Sequence, residues 1–241
     1  MQTGLFDIDD VAAWLEPGEH RHEVVHAAAI EADWARRRAA NPCLFNGRTI
    51  LGTRWQVSED RLSITCREVG YASLLHWLDM YGRAHEEKAR DLRPPGGDIH
   101  FFANAVIVGS DRRVIMGRMA PHTYNAGHVY MPSGSFDPDD FDVGGVADFA
   151  GNMRREVLEE TGLDLGEAEG EPRHRVYFGG NYLATFRVYR FRQASVRLIE
   201  RAKSHLAGGE DELSNVLAVA PGETDAAMPR HVRAFMEAFT G

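Results

Sequence analysis

The chain has 241 residues and a net charge of −9, with 44% hydrophobic and 26% charged residues, as expected for one large globular domain or a domain with an extension. The negative charge argues against a nucleic-acid partner, because no basic surface is available to displace counterions from phosphates. No run approaches the roughly 20 apolar residues of a membrane span, and the N-terminus lacks a basic and apolar leader, so we expect a cytoplasmic protein with no membrane partner.

The first 97 residues predict a small α+β unit. The acidic lead predicts a short helix over 11–15 that ends at Pro17-Gly18. Further on, the patterns predict a helix over 27–39, a hairpin of strands 49–57 and 61–67, and an amphipathic helix over 71–81. The run Pro-Pro-Gly-Gly at 94–97 indicates a boundary. Cys43 and Cys66 lack metal-ligand spacing and are expected to be reduced thiols.

Residues 22–26, His-Glu-Val-Val-His, formally match the H-E-x-x-H motif of zinc proteases. The chain contains 11 histidines, so a chance match is unremarkable. In zinc proteases the motif lies inside an apolar helix and a third ligand completes the site. This segment alternates polar and apolar residues like a strand and lies near the N-terminus, so we do not expect zinc here.

The pattern changes after residue 98. Strands are predicted over 99–108, 114–119, 129–131, 176–178, 184–191 and 216–219, and helices from about 148, over 195–206 and over 229–239. The acidic stretch 137–142 does not match a calcium loop, because Phe141 and Asp142 stand at its fifth and sixth positions. We expect it to be an inserted surface loop.

Three carboxylates crowd one face of the helix that begins near residue 148. Glu156, Glu159 and Glu160 stand at i, i+3 and i+4, where like charges repel unless a cation lies among them. Carboxylate oxygens of this kind suit Mg²⁺ or Mn²⁺. An acidic face exposed to solvent is the alternative explanation of the same pattern.

The residue order resembles a known family signature. Arg-Glu-Val-Leu-Glu-Glu-Thr-Gly-Leu at 155–163 resembles the second half of the Nudix hydrolase signature at every fixed position. The first half departs from it, since Phe141 and Ala147 stand where the signature has Gly and Glu. Pro-Ser-Gly-Ser at 132–135 is similar to the Pro-Gly-Gly that opens the signature, and Asp148 lies one position from the missing Glu.

The resemblance implies a Nudix-type α/β/α sandwich around a mixed sheet over 98–241, with 1–97 as an N-terminal α+β extension packed on it. It implies Mg²⁺-dependent hydrolysis, with Mn²⁺ as a substitute, of a nucleoside diphosphate linked to another moiety. Glu159 and Glu160 would be metal ligands, Glu156 a ligand or the general base, and Arg155 would hold a carboxylate in register. The partner would be a small nucleotide. The oligomeric state stays open, with a homodimer as one arrangement.

Other candidate site residues have plain alternatives. Glu212, with Glu210 and Asp211, is a candidate catalytic acid or further ligand, although an exposed acidic turn explains it equally well. Arg118 could bind a phosphate, or lie on the surface. Tyr124, Tyr130 and Tyr182 could stack on a base, or belong to the core.

A second resemblance concerns the substrate. Asn-Pro-Cys-Leu-Phe-Asn-Gly at 41–47 is similar to a segment of plant and animal Nudix proteins, including one that hydrolyses UDP-glucose and UDP-galactose. It favours a UDP-sugar, cleaved to UMP and a sugar 1-phosphate. We expect Leu44-Phe45 to anchor this turn and Asn46-Gly47 to adopt positive φ beside the nucleotide. The alternatives are a Nudix-fold sensor without turnover and a pyrophosphatase for ADP-ribose or related compounds.

Overall fold

The computed structural model describes residues 3–81, 97–123, 125–209 and 212–241. The first part of the chain contains β1 Gly4–Ile8, β2 Asp10–Leu15, α1 Arg21–Ala40, β3 Arg48–Ser58, β4 Arg61–Gly70 and α2 Tyr71–Tyr81. The second part contains β5 His100–Val108, β6 Val114–Met119, β7 Val129–Tyr130, β8 Ser133–Ser135, α3 Phe149–Thr161, β9 Ala168–Gly170, β10 His174–Phe178, β11 Tyr182–Phe191, α4 Ser195–Leu206, β12 Leu213–Val219 and α5 Arg230–Ala238.

A large mixed sheet forms the centre of the molecule. Its strand order is β1-β10-β11-β5-β6-β12, with β7, β8 and β9 paired at its margins. The pair β11 and β5 is parallel, and the other pairs along this path are antiparallel. Every residue of β5 is buried, because side chains on both faces of this strand enter a core.

Helices cover both faces of this sheet. On one face α3 and α4 pack over the sheet, and Val157 and Leu198 join the core beneath them. On the other face α5 buries Val232 and Phe235 against the sheet. Alternate residues of β5 enter the two cores, as the twofold periodicity of a strand requires. The predicted α/β/α sandwich around a mixed sheet is therefore confirmed.

A second sheet, ordered β2-β4-β3, lies within the first 81 residues together with α1 and α2. The strands β3 and β4 form the predicted hairpin, and Glu59 and Asp60 at its turn have φ of 50° and 58°. The first strand does not belong to this small sheet, because β1 pairs with β10 of the large one. The domain boundary at residue 97 stays a prediction, and the pairing of β1 with β10 joins the two sides of it.

Two predictions of local structure are wrong. Residues 11–15 lie in β2, which pairs in parallel with β4, so tertiary pairing overrides the helical propensity of Ala and Leu there. Residues 22–26 lie in α1, which begins at Arg21, and His20 Nδ1 accepts a hydrogen bond from the backbone N–H of His22. The predicted helices at 71–81 and 195–206 are confirmed. Within the described residues, no helix is both long and apolar enough to span a membrane.

Candidate active site

The helix α3 carries the acidic residues, and its ends are set by its own sequence. Asp148 caps the N-terminus by accepting a hydrogen bond from Gly151 N at 2.8 Å. Gly162 ends the helix in the left-handed region at φ 66°. Asp148 stands eight residues before Glu156, which is about 12 Å along the helix axis. Its carboxylate caps the helix, and the hypothesis that Asp148 partly replaces the missing Glu stays a prediction.

The three glutamates of α3 have unequal environments. Glu160 is 5% exposed and the side chain of Glu156 is 14% exposed, whereas the side chain of Glu159 is 60% exposed. Glu156 and Glu160 stand one turn apart and face the protein interior. Glu159 lies on the rim, beside Arg155. An exposed acidic face therefore explains Glu159 alone.

The Pro-Ser-Gly-Ser turn packs directly on the Glu156 carboxylate. Ser133–Ser135 forms β8, which pairs with β5. A Cβ atom added at Gly134 would lie 1.9 Å from Glu156 Oε1 and 2.0 Å from its Cδ. Only glycine lets the backbone approach the carboxylate so closely. The similarity to the signature's Pro-Gly-Gly thus has a steric meaning in this fold.

Arg155 binds carboxylates from two segments. Its guanidinium lies 2.7 Å from Glu156 and 3.3 Å from Glu159 on α3. It also lies 3.0 Å from Asp140 and 3.7 Å from Asp137. The expected role of Arg155, holding a carboxylate in register, fits these distances.

Asp140 is a site residue that the sequence analysis missed. The stretch 137–142 contains a short helical turn, Pro138–Asp140, with a capping box between Asp137 and Asp140. The side chain of Asp140 is 7% exposed and accepts hydrogen bonds from Asn152 as well as Arg155. The signal was present as Asp-Pro-Asp-Asp, an N-cap followed by proline. The interpretation of this stretch as a surface loop omitted its inward-facing acid.

Burial changes the acid–base character of the site. Desolvation raises the pKa of Glu156 to about 7, with Arg155 opposing the shift and Glu159 adding to it. Burial also raises the pKa of Tyr130, whose hydroxyl accepts a hydrogen bond from Asn125 Nδ2 at 2.9 Å. Glu160 and Glu212 both contribute negative charge near this tyrosine. A cation among these carboxylates would favour their charged forms.

A cavity of about 200 Å³ adjoins the acidic residues. It lies between α2, β5 and the β7–β8 segment, next to Gly134. Aromatic and apolar side chains dominate its lining, which includes Tyr71, Leu74, Leu75, Leu78, His100, Phe102 and Tyr130. A neighbouring cleft of about 280 Å³ includes Phe45, Arg155 and Asp137. The cavity and the cleft share the lining residues Tyr71, Leu74 and Ser135, so they adjoin each other.

Not every predicted binding residue reaches this cavity. Tyr130 lines it, whereas Arg118 donates a hydrogen bond to Gly127 O at 3.0 Å and Tyr182 lies in the core beneath α5. Glu212 is exposed, and its backbone carbonyl accepts a hydrogen bond from Ala120 N at 2.8 Å. Tyr124, Glu210 and Asp211 lie outside the described residues.

The 41–47 turn holds the start of α2, which forms one wall of the cavity. Asn46 Oδ1 accepts a hydrogen bond from Ala72 N at 2.7 Å, and Gly47 O accepts one from Tyr71 N at 2.8 Å, so the turn holds the start of α2. Neither Asn46 nor Gly47 has positive φ, so that expectation is wrong. Phe45 is 82% exposed, so it does not anchor the turn. The two hydrogen bonds to the backbone of α2 hold the turn in place instead.

The donor set fits a hard divalent cation. Within the described residues, no group of three or more His, Cys, Asp or Glu side chains is arranged so that it could hold a metal ion by itself. A closed cage is not needed for Mg²⁺, which binds one or two carboxylates together with substrate phosphates and waters. Glu156 and Glu160, with Glu159 on the rim, supply carboxylates of this kind. The predicted ligands therefore remain together as candidates.

Comparisons with known proteins gave partial structural similarities. No protein-family model matches the sequence, and a search of curated proteins found no match. A bifunctional NMN adenylyltransferase/ADP ribose pyrophosphatase from Francisella tularensis is 14% identical, with a TM-score of 0.39, over 61% of this chain and 42% of that chain. The Nudix hydrolase RenU from M. smegmatis is 12% identical, with a TM-score of 0.40, over 61% of this chain and 89% of that chain. A MutT protein from Methanosarcina mazei is 18% identical, with a TM-score of 0.37, over 58% of this chain and 91% of that chain. At these values the function has to be inferred from the residues of the chain itself.

Proposed function

We propose that the chain is a Nudix hydrolase that cleaves the diphosphate of a nucleoside diphosphate linked to another moiety, with Mg²⁺ and with a UDP-sugar as the favoured substrate. One observation carries the proposal. Two glutamates of the Nudix-like helix lie at the edge of an aromatic cavity: Glu156, largely buried, lies against Gly134, and Glu160, buried, lies near Tyr130.

The chain's own groups suit the parts of such a reaction. Glu156 and Glu160 can hold a cation against the diphosphate, and Glu156 is also the candidate base for the attacking water. Arg155 positions Glu156 and ties it to Asp140. When bound, Mg²⁺ would neutralise phosphate charge and activate the water. Glu212, on the rim near Tyr130, stays a candidate base or ligand.

The cavity offers an aromatic surface to a nucleobase. Tyr130 lines it and can stack on the ring of a uracil. The 41–47 turn, whose sequence suggested the UDP-sugar, holds the wall of this cavity through α2. Cleavage would then give UMP and a sugar 1-phosphate.

A sensor without turnover is the second candidate. Ala147 stands where the signature has Glu, so the site has one carboxylate fewer than the full pattern. Such a protein would bind the same nucleotides and release no phosphomonoester. Binding and turnover therefore have to be measured on the same preparation.

The test compares UDP-glucose with ADP-ribose in the presence of Mg²⁺, scored by released phosphomonoester. Glu160→Gln should retain the fold and lose most turnover, because the variant loses a charged ligand. Glu31→Gln, an exposed residue of α1, serves as the matched control and should keep wild-type activity. Full activity of Glu160→Gln at limiting Mg²⁺ would refute the metal assignment.

The two substrates separate the finer alternatives. A higher kcat/KM for UDP-glucose supports the UDP-sugar assignment. A higher kcat/KM for ADP-ribose leaves the hydrolase and removes that assignment. Tight binding of either compound without product supports the sensor.

A further inference from the structure

Three histidines form a cluster between α1 and α2, and none of them lines the cavity or the cleft described above. His22 and His26 stand one turn apart on α1, and His76 comes from α2. The ring centroid of His22 lies 4.7 Å from that of His26 and 5.1 Å from that of His76. The centroids of His26 and His76 lie 5.5 Å apart. The three rings thus form a nearly equilateral triangle.

These spacings match three imidazoles around one metal ion. With metal–nitrogen distances of about 2.0–2.1 Å in a tetrahedral site, two ligand nitrogens lie about 3.4 Å apart and the ring centroids roughly 5 Å apart. In this chain His22 Nε2 and His76 Nδ1 are 3.0 Å apart. Two of the three donor nitrogens already point at one another.

We propose that His22, His26 and His76 bind a divalent transition metal such as Zn²⁺, which joins α1 to α2. As they stand, the three rings are not arranged so that they could hold an ion, and His22 and His76 share a hydrogen bond. On binding, the ring that donates this bond carries its proton on its other nitrogen, so both facing nitrogens offer lone pairs. His26 completes the set by rotation of its partly exposed ring.

The helical setting removes the objection raised by the sequence. The strand-like alternation of 22–26 argued against zinc, but the segment is helical and places His22 and His26 on one face. The third ligand comes from a distant part of the chain, as such a site requires. The backbone of α1 is also kinked at His26, with φ −111° and ψ 16°.

Peptide hydrolysis does not follow from this site. Glu23, the motif's would-be base, accepts hydrogen bonds from Gly70 N at 2.9 Å and Ser73 Oγ at 2.6 Å. These bonds fix its carboxylate at the start of α2. The metal would have a structural role, since α2 also contributes Leu74 and Leu75 to the cavity wall.

The experiment titrates Zn²⁺ and Co²⁺ into the metal-stripped full chain. Zn²⁺ affinity is measured against a competing chelator, and the visible absorption of Co²⁺ reports tetrahedral nitrogen ligation. His26→Gln and His76→Gln replace partly exposed residues, so the fold should survive, which melting without metal verifies. His122→Gln, an exposed histidine outside the cluster, is the matched control. All variants also carry Glu160→Gln, which weakens the acidic site.

We expect one equivalent of Zn²⁺, a rise in melting temperature on binding, and a tetrahedral Co²⁺ spectrum in the His122→Gln control. His26→Gln and His76→Gln should each weaken binding roughly tenfold or more and lose the Co²⁺ spectrum. Unchanged affinity and spectrum in both variants would overturn the proposal. So would the absence of Zn²⁺ binding by the control.

Discussion

At the residue scale, the close approach of Gly134 to Glu156 is the most constrained feature of the site. The end of the Glu156 side chain occupies the space that any side chain at 134 would need. Gly134 does not have a positive φ, so alanine suits its backbone conformation and the constraint is purely steric. The position of the Glu156 carboxylate is therefore set by β8 as well as by α3.

Gly134→Ala should displace the Glu156 carboxylate, with a stability loss of about 1–3 kcal/mol from overpacking and a fall in turnover. In a Glu156→Ala background the same change should cost little, because the atoms it collides with are gone. Urea melts of the four proteins in this cycle measure the coupling. Equal costs in both backgrounds would show that the approach is not tight in solution.

His100 makes stability depend on pH through its burial. Desolvation lowers its pKa from 6.5 to about 4, and its Nε2 shares a hydrogen bond with Ser135 Oγ at 3.1 Å. Between these values the unfolded chain binds a proton that the folded chain does not. The contribution is complete above pH 6.5 and is lost as the pH falls toward 4, at most about 3 kcal/mol.

His100→Gln should reduce the slope of unfolding free energy against pH between 6.5 and 4, without removing it. His174, whose pKa burial also lowers to about 4, continues to contribute. His122→Gln is the control and should retain the wild-type slope. A His100→Gln slope equal to that of wild type would mean that the buried ring titrates normally.

Local pattern predicted the acids of α3 but not their environments. The spacing of Glu156, Glu159 and Glu160 is a property of one helix, and the sequence contains it in full. Which of them is buried depends on β8 and on the cavity, which come from other parts of the chain. Asp140 was missed for the same reason, since its partner Arg155 is 15 residues away.

At the element scale, α2 depends on residues remote from it in sequence. The N–H groups at its start are bound by Asn46, Gly47 and Glu23, so a turn and another helix supply its N-terminal hydrogen bonds. Sequence periodicity predicted the bounds of α2 because its apolar residues repeat at helical spacing. These remote partners have no local signature. At β2 the local pattern predicted a helix that does not form, because pairing with β4 overrides the helical propensity of these residues.

Asn46→Ala should destabilise the protein by about 1 kcal/mol, because Ala72 N loses its acceptor. Asn46→Asp keeps a carbonyl-type oxygen at the same position and should retain most of the stability. Asn41→Ala, which removes only a hydrogen bond to Cys43 N within the same turn, is the control. Chemical denaturation measures all three. An equal loss for Asn41→Ala and Asn46→Ala would contradict a specific role in holding α2.

At the scale of the whole molecule, the two predicted parts share one hydrophobic core. Ile50, Leu62 and Ile64 of the small sheet lie in the same cluster as Phe101 and Phe136 of the second part. The pairing of β1 with β10 adds main-chain hydrogen bonds between the parts. The sequence indicated where composition changes, at 94–97, but composition contains no information on which surfaces meet.

The isolated fragment 1–96 should therefore be unfolded or aggregated. Separation would expose Ile50, Leu62 and Ile64. The fragment would keep only a three-stranded sheet and two helices, which are too few elements to bury these side chains again. Without β10, the strand β1 would also lose its partner. Circular dichroism during heating tests this, with the full chain as the control. A cooperative melt of the fragment would show that residues 1–96 are a domain in their own right, and the shared core would then be a docking surface between two stable units.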